Sequence, residues 1–76
     1  MKTKYVVLKG HIIDEIYVFG DIVQHSDFAS GFFQDVISAG FVSENFECYG
    51  ESFSLKVKSR GDIDTKLLRQ MLRLKE

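Results

Sequence analysis

The chain contains no proline, no tryptophan and only one cysteine, Cys48. A lone cysteine cannot form an internal disulfide, and without proline the sequence has neither a cis-proline turn nor a stiffened linker. His11, His25 and Cys48 stand far apart, so the ligand spacing of a zinc site is missing as well. We therefore expect no metal and no cofactor, and a domain this small has to draw its stability from its core or from association.

Long apolar runs are also missing. No stretch approaches the roughly 18 residues that span a bilayer, and the first residues lack the apolar segment and cleavage site of a signal peptide. Together with the unpaired cysteine, these absences predict a cytoplasmic protein that does not contact the membrane. With 45% hydrophobic residues, residues 1–76 are expected to form one globular domain, of a kind common among bacterial and phage accessory proteins.

Basic residues are absent from the middle of the chain. Residues 10–55 contain eight acidic residues and no Lys or Arg, whereas residues 56–75 contain seven basic and two acidic residues. The net charge of −1 therefore conceals a bipolar sequence. Surfaces of opposite charge on one small domain attract copies of the same chain or one asymmetric partner, which favours a protein-binding role.

Two strand patterns occupy the start of the chain. "KYVVLK" (4–9) and "EIYVF" (15–19) combine β-branched and aromatic residues, and the turn between them falls at Gly10-His11 or at Asp14-Glu15. Both strands are apolar on both faces, whereas a sheet covered by helices on one face should alternate. The uncovered face needs a partner, so the sequence predicts self-association, most simply as a homodimer.

Two amphipathic helices are predicted. In "SDFASGFFQDVISA" (26–39) apolar residues recur at helical spacing, with Ser26 as N-cap and Gly40 after the last turn. The segment from Gly61 onward carries a second apolar stripe. The two segments align when the chain is shifted by 35 residues, which indicates either an internal ββα repeat or the resemblance of any two amphipathic helices.

Further strands are predicted over 41–49 and over 52–58, where "SFSLKVK" alternates cleanly. The predicted fold is α+β: a four-stranded, mainly antiparallel sheet with two helices on one face, in the order ββαββα. Helix-to-sheet packing would bury both helical stripes and one face of the last strand. The predicted core comprises Phe28, Phe32, Phe33, Val36, Ile37, Phe53, Leu55, Val57, Leu67, Leu68, Met71 and Leu72.

A basic set near the end of the chain supplies the main candidate binding residues. Phosphate binding needs clustered cations, whereas scattered ones only form a solvated outer face. No RNP-type aromatic pattern or GxxG clamp accompanies the set. A nucleic-acid-binding regulator that uses the basic last helix is therefore the alternative to a protein-interaction module. The set comprises Lys56, Lys58, Arg60, Lys66, Arg69 and Arg73.

The stretch "QHSDF" (24–28) is the second candidate, through His25 and Ser26. Neighbouring His, Ser and Asp rarely adopt catalytic-triad geometry, which is assembled from distant segments. A loop followed by a helix N-cap explains the stretch better, with weak anion binding by free N–H groups as a remaining function. Cys48 alternates with Phe46 and is expected to face the core. The sequence thus predicts a non-enzymatic protein.

Overall fold

The fold is built around a four-stranded antiparallel sheet. The computed structural model describes residues 2–72. The strands are β1 (Thr3–Leu8), β2 (Glu15–Phe19), β3 (Val36–Val42), β4 (Cys48–Tyr49), β5 (Glu51–Ser52) and β6 (Val57–Lys58), and the helices are α1 (His25–Ala29) and α2 (Asp62–Leu72). The four strands of the sheet follow the order β2-β1-β3-β4, and β5 and β6 pair in a separate antiparallel hairpin.

Strand β1 is buried on both faces. Tyr5, Val6, Val7 and Leu8 are all inaccessible to solvent. Because successive side chains of a strand point to opposite faces, such a run needs cover on both sides. Helix α2 covers the face of Tyr5 and Val7, mainly through Leu68. Side chains of α1 and of the β5–β6 hairpin cover the face of Val6 and Leu8.

Because both faces of β1 are covered within the chain, the argument by which the sequence predicted a homodimer no longer holds. The second apolar face of β1 was expected to need a second subunit, but the chain covers both faces by itself. Self-association stays a prediction, and its support has to come from another surface.

The α+β class, the four-stranded antiparallel sheet and the first two strands are confirmed, but the element order and the helix placement differ from expectation. Two strands precede α1 and four strands separate it from α2. The two helices pack on opposite faces of the sheet rather than on one. The aligned repeat is not realised either, because residues 36–37 lie in a strand whereas their counterparts 71–72 lie in a helix.

The prediction of a helix over 26–39 is wrong beyond its first turn, which ends at Ala29. Helix α1 ends at Ala29, and its N-cap is Gln24 rather than Ser26, without a side-chain capping bond. The segment that follows supplies β3, the second neighbour of the central strand β1. The predicted helical cap Gly40 therefore lies inside a strand.

The two later strands are also shorter than predicted. Between β3 and β4 the chain turns, and Phe46 there has a left-handed backbone with φ 61°. The segment 52–58 forms a tight hairpin instead of one straight strand, with Lys56 at φ 58° in its turn. Leu55 and Val57 still pack against the core, but Phe53 in the same turn is 84% exposed. Of the other predicted core residues, the structure exposes Phe33, Met71 and Leu72.

Phe33 provides a direct check of the loop between α1 and β3. In a helix facing the core, Phe33→Ala would reduce the free energy of unfolding by about 3–5 kcal/mol. Because Phe33 is fully exposed, we expect a change below about 0.5 kcal/mol in a thermal melt followed by circular dichroism. Phe28 stacks on Phe19 with ring centroids 4.3 Å apart, so Phe28→Ala should lose about 2–3 kcal/mol. Equal losses in both variants would contradict the exposed position.

Candidate functional site

The basic candidate residues do not gather on one surface. Lys66 and Arg69 lie on α2, which covers one face of the sheet, whereas Lys56 and Lys58 lie on the β5–β6 hairpin, which packs on the other. Arg73 lies outside the described residues. A phosphate backbone is bound by cations that act together. Lys66 and Arg69 therefore lie on a different layer of the fold from Lys56 and Lys58.

Two of the arginines make structural bonds. Arg69 Nη2 donates to the carbonyl oxygen of Asn45 at 2.9 Å. Arg60 Nε donates to Asp64 Oδ1 at 2.8 Å, and Arg60 Nη1 lies 3.9 Å from a carboxylate oxygen of Asp14. These contacts fix the β3–β4 turn and the start of α2. Two of the predicted binding residues, Arg60 and Arg69, are therefore occupied by contacts within the fold.

His25 and Ser26 both lie in α1, where they make structural contacts. The His25 ring is buried edge-on between two aromatic rings, and its Nε2 lies 2.8 Å from the carbonyl oxygen of Gly40. Burial lowers the pKa of His25 below its ordinary value of 6.5, more than the bond to Gly40 raises it. The N–H of Ser26 donates to Ser54 Oγ at 3.2 Å.

Cys48 is buried, as the sequence predicted. Burial raises the pKa of its thiol to about 11, so the thiol stays protonated at neutral pH and is a poor nucleophile. Its backbone N–H donates to Thr65 Oγ1 at 2.8 Å, which ties β4 to α2. The contacts of Cys48 are therefore those of a core residue.

A buried carboxylate that the sequence reasoning missed anchors the start of α2. Asp64 is inaccessible to solvent, and its Oδ2 accepts from the Tyr5 hydroxyl at 2.5 Å and from the Arg60 N–H at 2.9 Å. The Tyr5 hydroxyl also lies 2.6 Å from Ser59 Oγ. Burial raises the pKa of Asp64, but these hydrogen bonds outweigh it and hold the pKa below the ordinary 3.8. The sequence did contain one indication of this role, because Asp64 lies in the first turn of a predicted helix, where an acidic side chain can accept hydrogen bonds from backbone N–H groups.

An apolar groove, here called the β2-side groove, lies between α2 and the β1–β2 hairpin. Its volume is about 410 Å³. Ile13 at its rim is 71% exposed and Met71 is 47% exposed. Sequence reasoning missed the groove because it assigned Met71 and its neighbours to the core. The lining residues are Ile13, Asp14, Glu15, Ile16, Tyr17, Leu67, Gln70 and Met71.

Strand β2 forms an open edge beside this groove. Within residues 2–72 it pairs only with β1. The N–H of Lys9, just after β1, donates to the carbonyl oxygen of Asp35, just before β3. Backbone groups of successive residues point alternately to the two sides of a strand, so the odd-numbered residues of β1 bond to β3 and the even-numbered ones bond to β2. Val6 lies opposite Tyr17, which therefore bonds to β1. It follows that the N–H and C=O groups of Ile16 and Val18 point outward.

Together these features define a small α+β domain with an open apolar sheet edge, in which the buried His25 and Asp64 make structural hydrogen bonds. Within the described part of the chain no three His, Cys, Asp or Glu side chains are placed to hold a metal ion, and no helix is long and apolar enough to cross a membrane. Comparison with protein-family models, curated proteins and solved structures finds no match. The role of the surface has to be inferred from its own geometry.

Proposed function

We propose that the protein is a small, non-enzymatic interaction module that self-associates, with a second copy of the chain as the partner at the β2 side. The observation that carries this proposal is the open edge of β2, flanked by the exposed apolar residues of the β2-side groove. Single exposed apolar side chains are ordinary on protein surfaces, but a cluster beside unpaired backbone groups indicates an interface.

A second copy suits this edge better than an unrelated ligand. An antiparallel edge is complementary to itself, because a two-fold rotation places the donors of one strand opposite the acceptors of the other. A domain of 76 residues buries a modest core, so covering Ile13, Val18 and Met71 would add stability that the isolated chain lacks. Self-association therefore satisfies both the polar and the apolar groups of the edge.

The polar side chains support a binding role rather than catalysis. Three groups suited to nucleophilic or acid–base chemistry, His25, Cys48 and Asp64, are buried in the fold. A catalytic group must reach its substrate within hydrogen-bonding distance. The surface groove, in contrast, is lined mainly by apolar side chains.

Self-association is tested by sedimentation equilibrium from low to high micromolar concentration. We expect the parent chain to form a dimer, and Met71→Glu to weaken it at least about tenfold, because the substitution puts a charge beside the groove. Phe53→Glu is the matched control, since Phe53 is an exposed apolar residue on the opposite layer and its variant should still dimerise. A parent that stays monomeric at high micromolar concentration contradicts the proposal.

The nucleic-acid alternative has its own test. Because Lys56 and Lys58 lie on a different layer from Lys66 and Arg69, we expect only weak binding to mixed-sequence duplex DNA, with a Kd in the non-specific range of about 10⁻⁴–10⁻⁶ M at about 150 mM salt. Fluorescence anisotropy with the parent and with Arg69→Ala/Arg73→Ala measures this affinity. Submicromolar binding that the double substitution abolishes would favour a nucleic-acid-binding regulator over the interaction module.

A further inference from the structure

The outer edge of β2 lacks the features by which sheet edges usually avoid pairing. Natural edge strands carry proline, a bulge or inward-pointing charges, above all lysine. Strand β2 contains none of these after Glu15, its first residue, and its register with β1 is regular over all five residues. Its outward N–H and C=O groups, those of Ile16 and Val18, are therefore set to receive another strand.

We infer that β2 pairs antiparallel with β2 of a second copy, with Tyr17 on the two-fold axis. The two sheets then join into one continuous eight-stranded sheet. This inference rests on the proposed function, since it specifies how two copies of the chain associate.

The hydrogen-bonding groups select this register. With Tyr17 on the axis, Ile16 of each copy lies opposite Val18 of the other, so every outward N–H and C=O of these two residues meets a partner. All five residues of each strand overlap. An axis at Ile16 or at Val18 would leave part of the strand without a partner and would draw loop residues into the ladder.

The side chains agree with the same register. Glu15 lies opposite Phe19 of the other copy, so no like charges face each other. The Tyr17 side chains of the two copies become direct neighbours, beside the rings of Phe28 and Phe32 on the same face. Cross-strand aromatic pairs of this kind stabilise antiparallel sheets. On the other face, Val18 of one copy covers Ile16 in the β2-side groove of its partner.

The dipoles of α2 agree with the same axis. A two-fold axis perpendicular to the sheet keeps both α2 helices on one face and makes them antiparallel. The two helix dipoles therefore oppose each other, which is the favourable arrangement.

Disulfide trapping tests the register. Residues on the axis form a non-hydrogen-bonded pair with Cα atoms about 4.5 Å apart, within disulfide range, so Tyr17→Cys should cross-link to itself under oxidised glutathione. Val18→Cys is the matched control: its two copies would be about 7–8 Å apart and should stay unlinked. The parent chain controls for Cys48, which is buried. The products are read on a non-reducing gel, after circular dichroism shows that each variant is folded.

Amide hydrogen exchange of the parent chain gives a second readout that needs no substitution. The amides of Ile16 and Val18 should exchange more slowly as protein concentration rises, whereas that of Tyr17, bonded to β1, should be protected throughout. A dimer in which Val18→Cys cross-links and Tyr17→Cys does not, or in which the Ile16 and Val18 amides stay unprotected, overturns the pairing but leaves self-association intact. A monomer at all concentrations overturns both.

Discussion

Replacing Asp64 by alanine should lower the free energy of unfolding by about 3 kcal/mol, enough to reduce the Tm of a domain this small by about 12–24 °C. The carboxylate is fully buried and accepts hydrogen bonds from Tyr5 and from both the side chain and the backbone of Arg60. Alanine would leave the buried Tyr5 hydroxyl without this acceptor and α2 without its N-terminal bond. Thermal unfolding followed by circular dichroism measures the effect.

Asp62→Ala is the matched control for Asp64→Ala. Both residues lie in the first turn of α2, but Asp62 is exposed, so its variant should lose only the helix-dipole contribution of about 0.3–1 kcal/mol. The parent also offers a pH readout. Because the folded-state pKa of Asp64 is below 3.8, its stabilisation is present above that pH and is lost as the pH falls through the folded-state value. Equal melts for both variants would show that the buried network contributes little.

The Asp64 network shows where sequence patterns reach their limit. The apolar stripe of the last segment predicted α2, because helical periodicity is a local property. The partner of Asp64 is Tyr5, which lies 59 residues away in the chain. No local pattern pairs a tyrosine in the first strand with an acid in the last helix, so this contact appears only in the folded structure.

The prediction of a helix over 26–39 was wrong for a related reason. Its phenylalanines recur at helical spacing, and this local pattern outweighed the glycine at position 31 and the β-branched pair Val36 and Ile37. The competing influence is tertiary: a central strand that is buried on both faces needs neighbours on both edges, and β3 is one of them. The apolar run Tyr5–Leu8 already carried the signal for a central strand, but not the identity of its second neighbour.

The candidate interaction surface was predictable only in part. The apolar character of "KYVVLK" and "EIYVF" led to the prediction of a partner, but the chain itself covers both faces of β1. The edge of β2 could not be identified from sequence, because whether a strand is central or at an edge depends on the order of strands in the sheet. The basic residues were visible in the sequence, yet their separation onto two layers follows from the β5–β6 hairpin and α2 packing on opposite faces.

Gly40 lies where the backbone of Tyr49 comes close to β3. It lies buried in β3, opposite Tyr5 of β1, and its carbonyl oxygen is 2.8 Å from the ring nitrogen of His25. A Cβ at this position would overlap the carbonyl oxygen of Tyr49 and lie 3.3 Å from the Cβ of Ser59. The obstructing oxygen is backbone, so it cannot move away by changing a rotamer.

We therefore expect Gly40→Ala to reduce the free energy of unfolding by about 3 kcal/mol, at the upper end of overpacking effects, because β4 has to shift away from β3. Gly20→Ala is the matched control. A Cβ there meets nothing within 4 Å, and its backbone lies outside the left-handed region, so alanine should be neutral or stabilise by about 0.4–1 kcal/mol through the unfolded state. Chemical denaturation of both variants measures the difference. If Gly40→Ala unfolds at the same denaturant concentration as Gly20→Ala, β3 and β4 are not packed as closely as the structure places them.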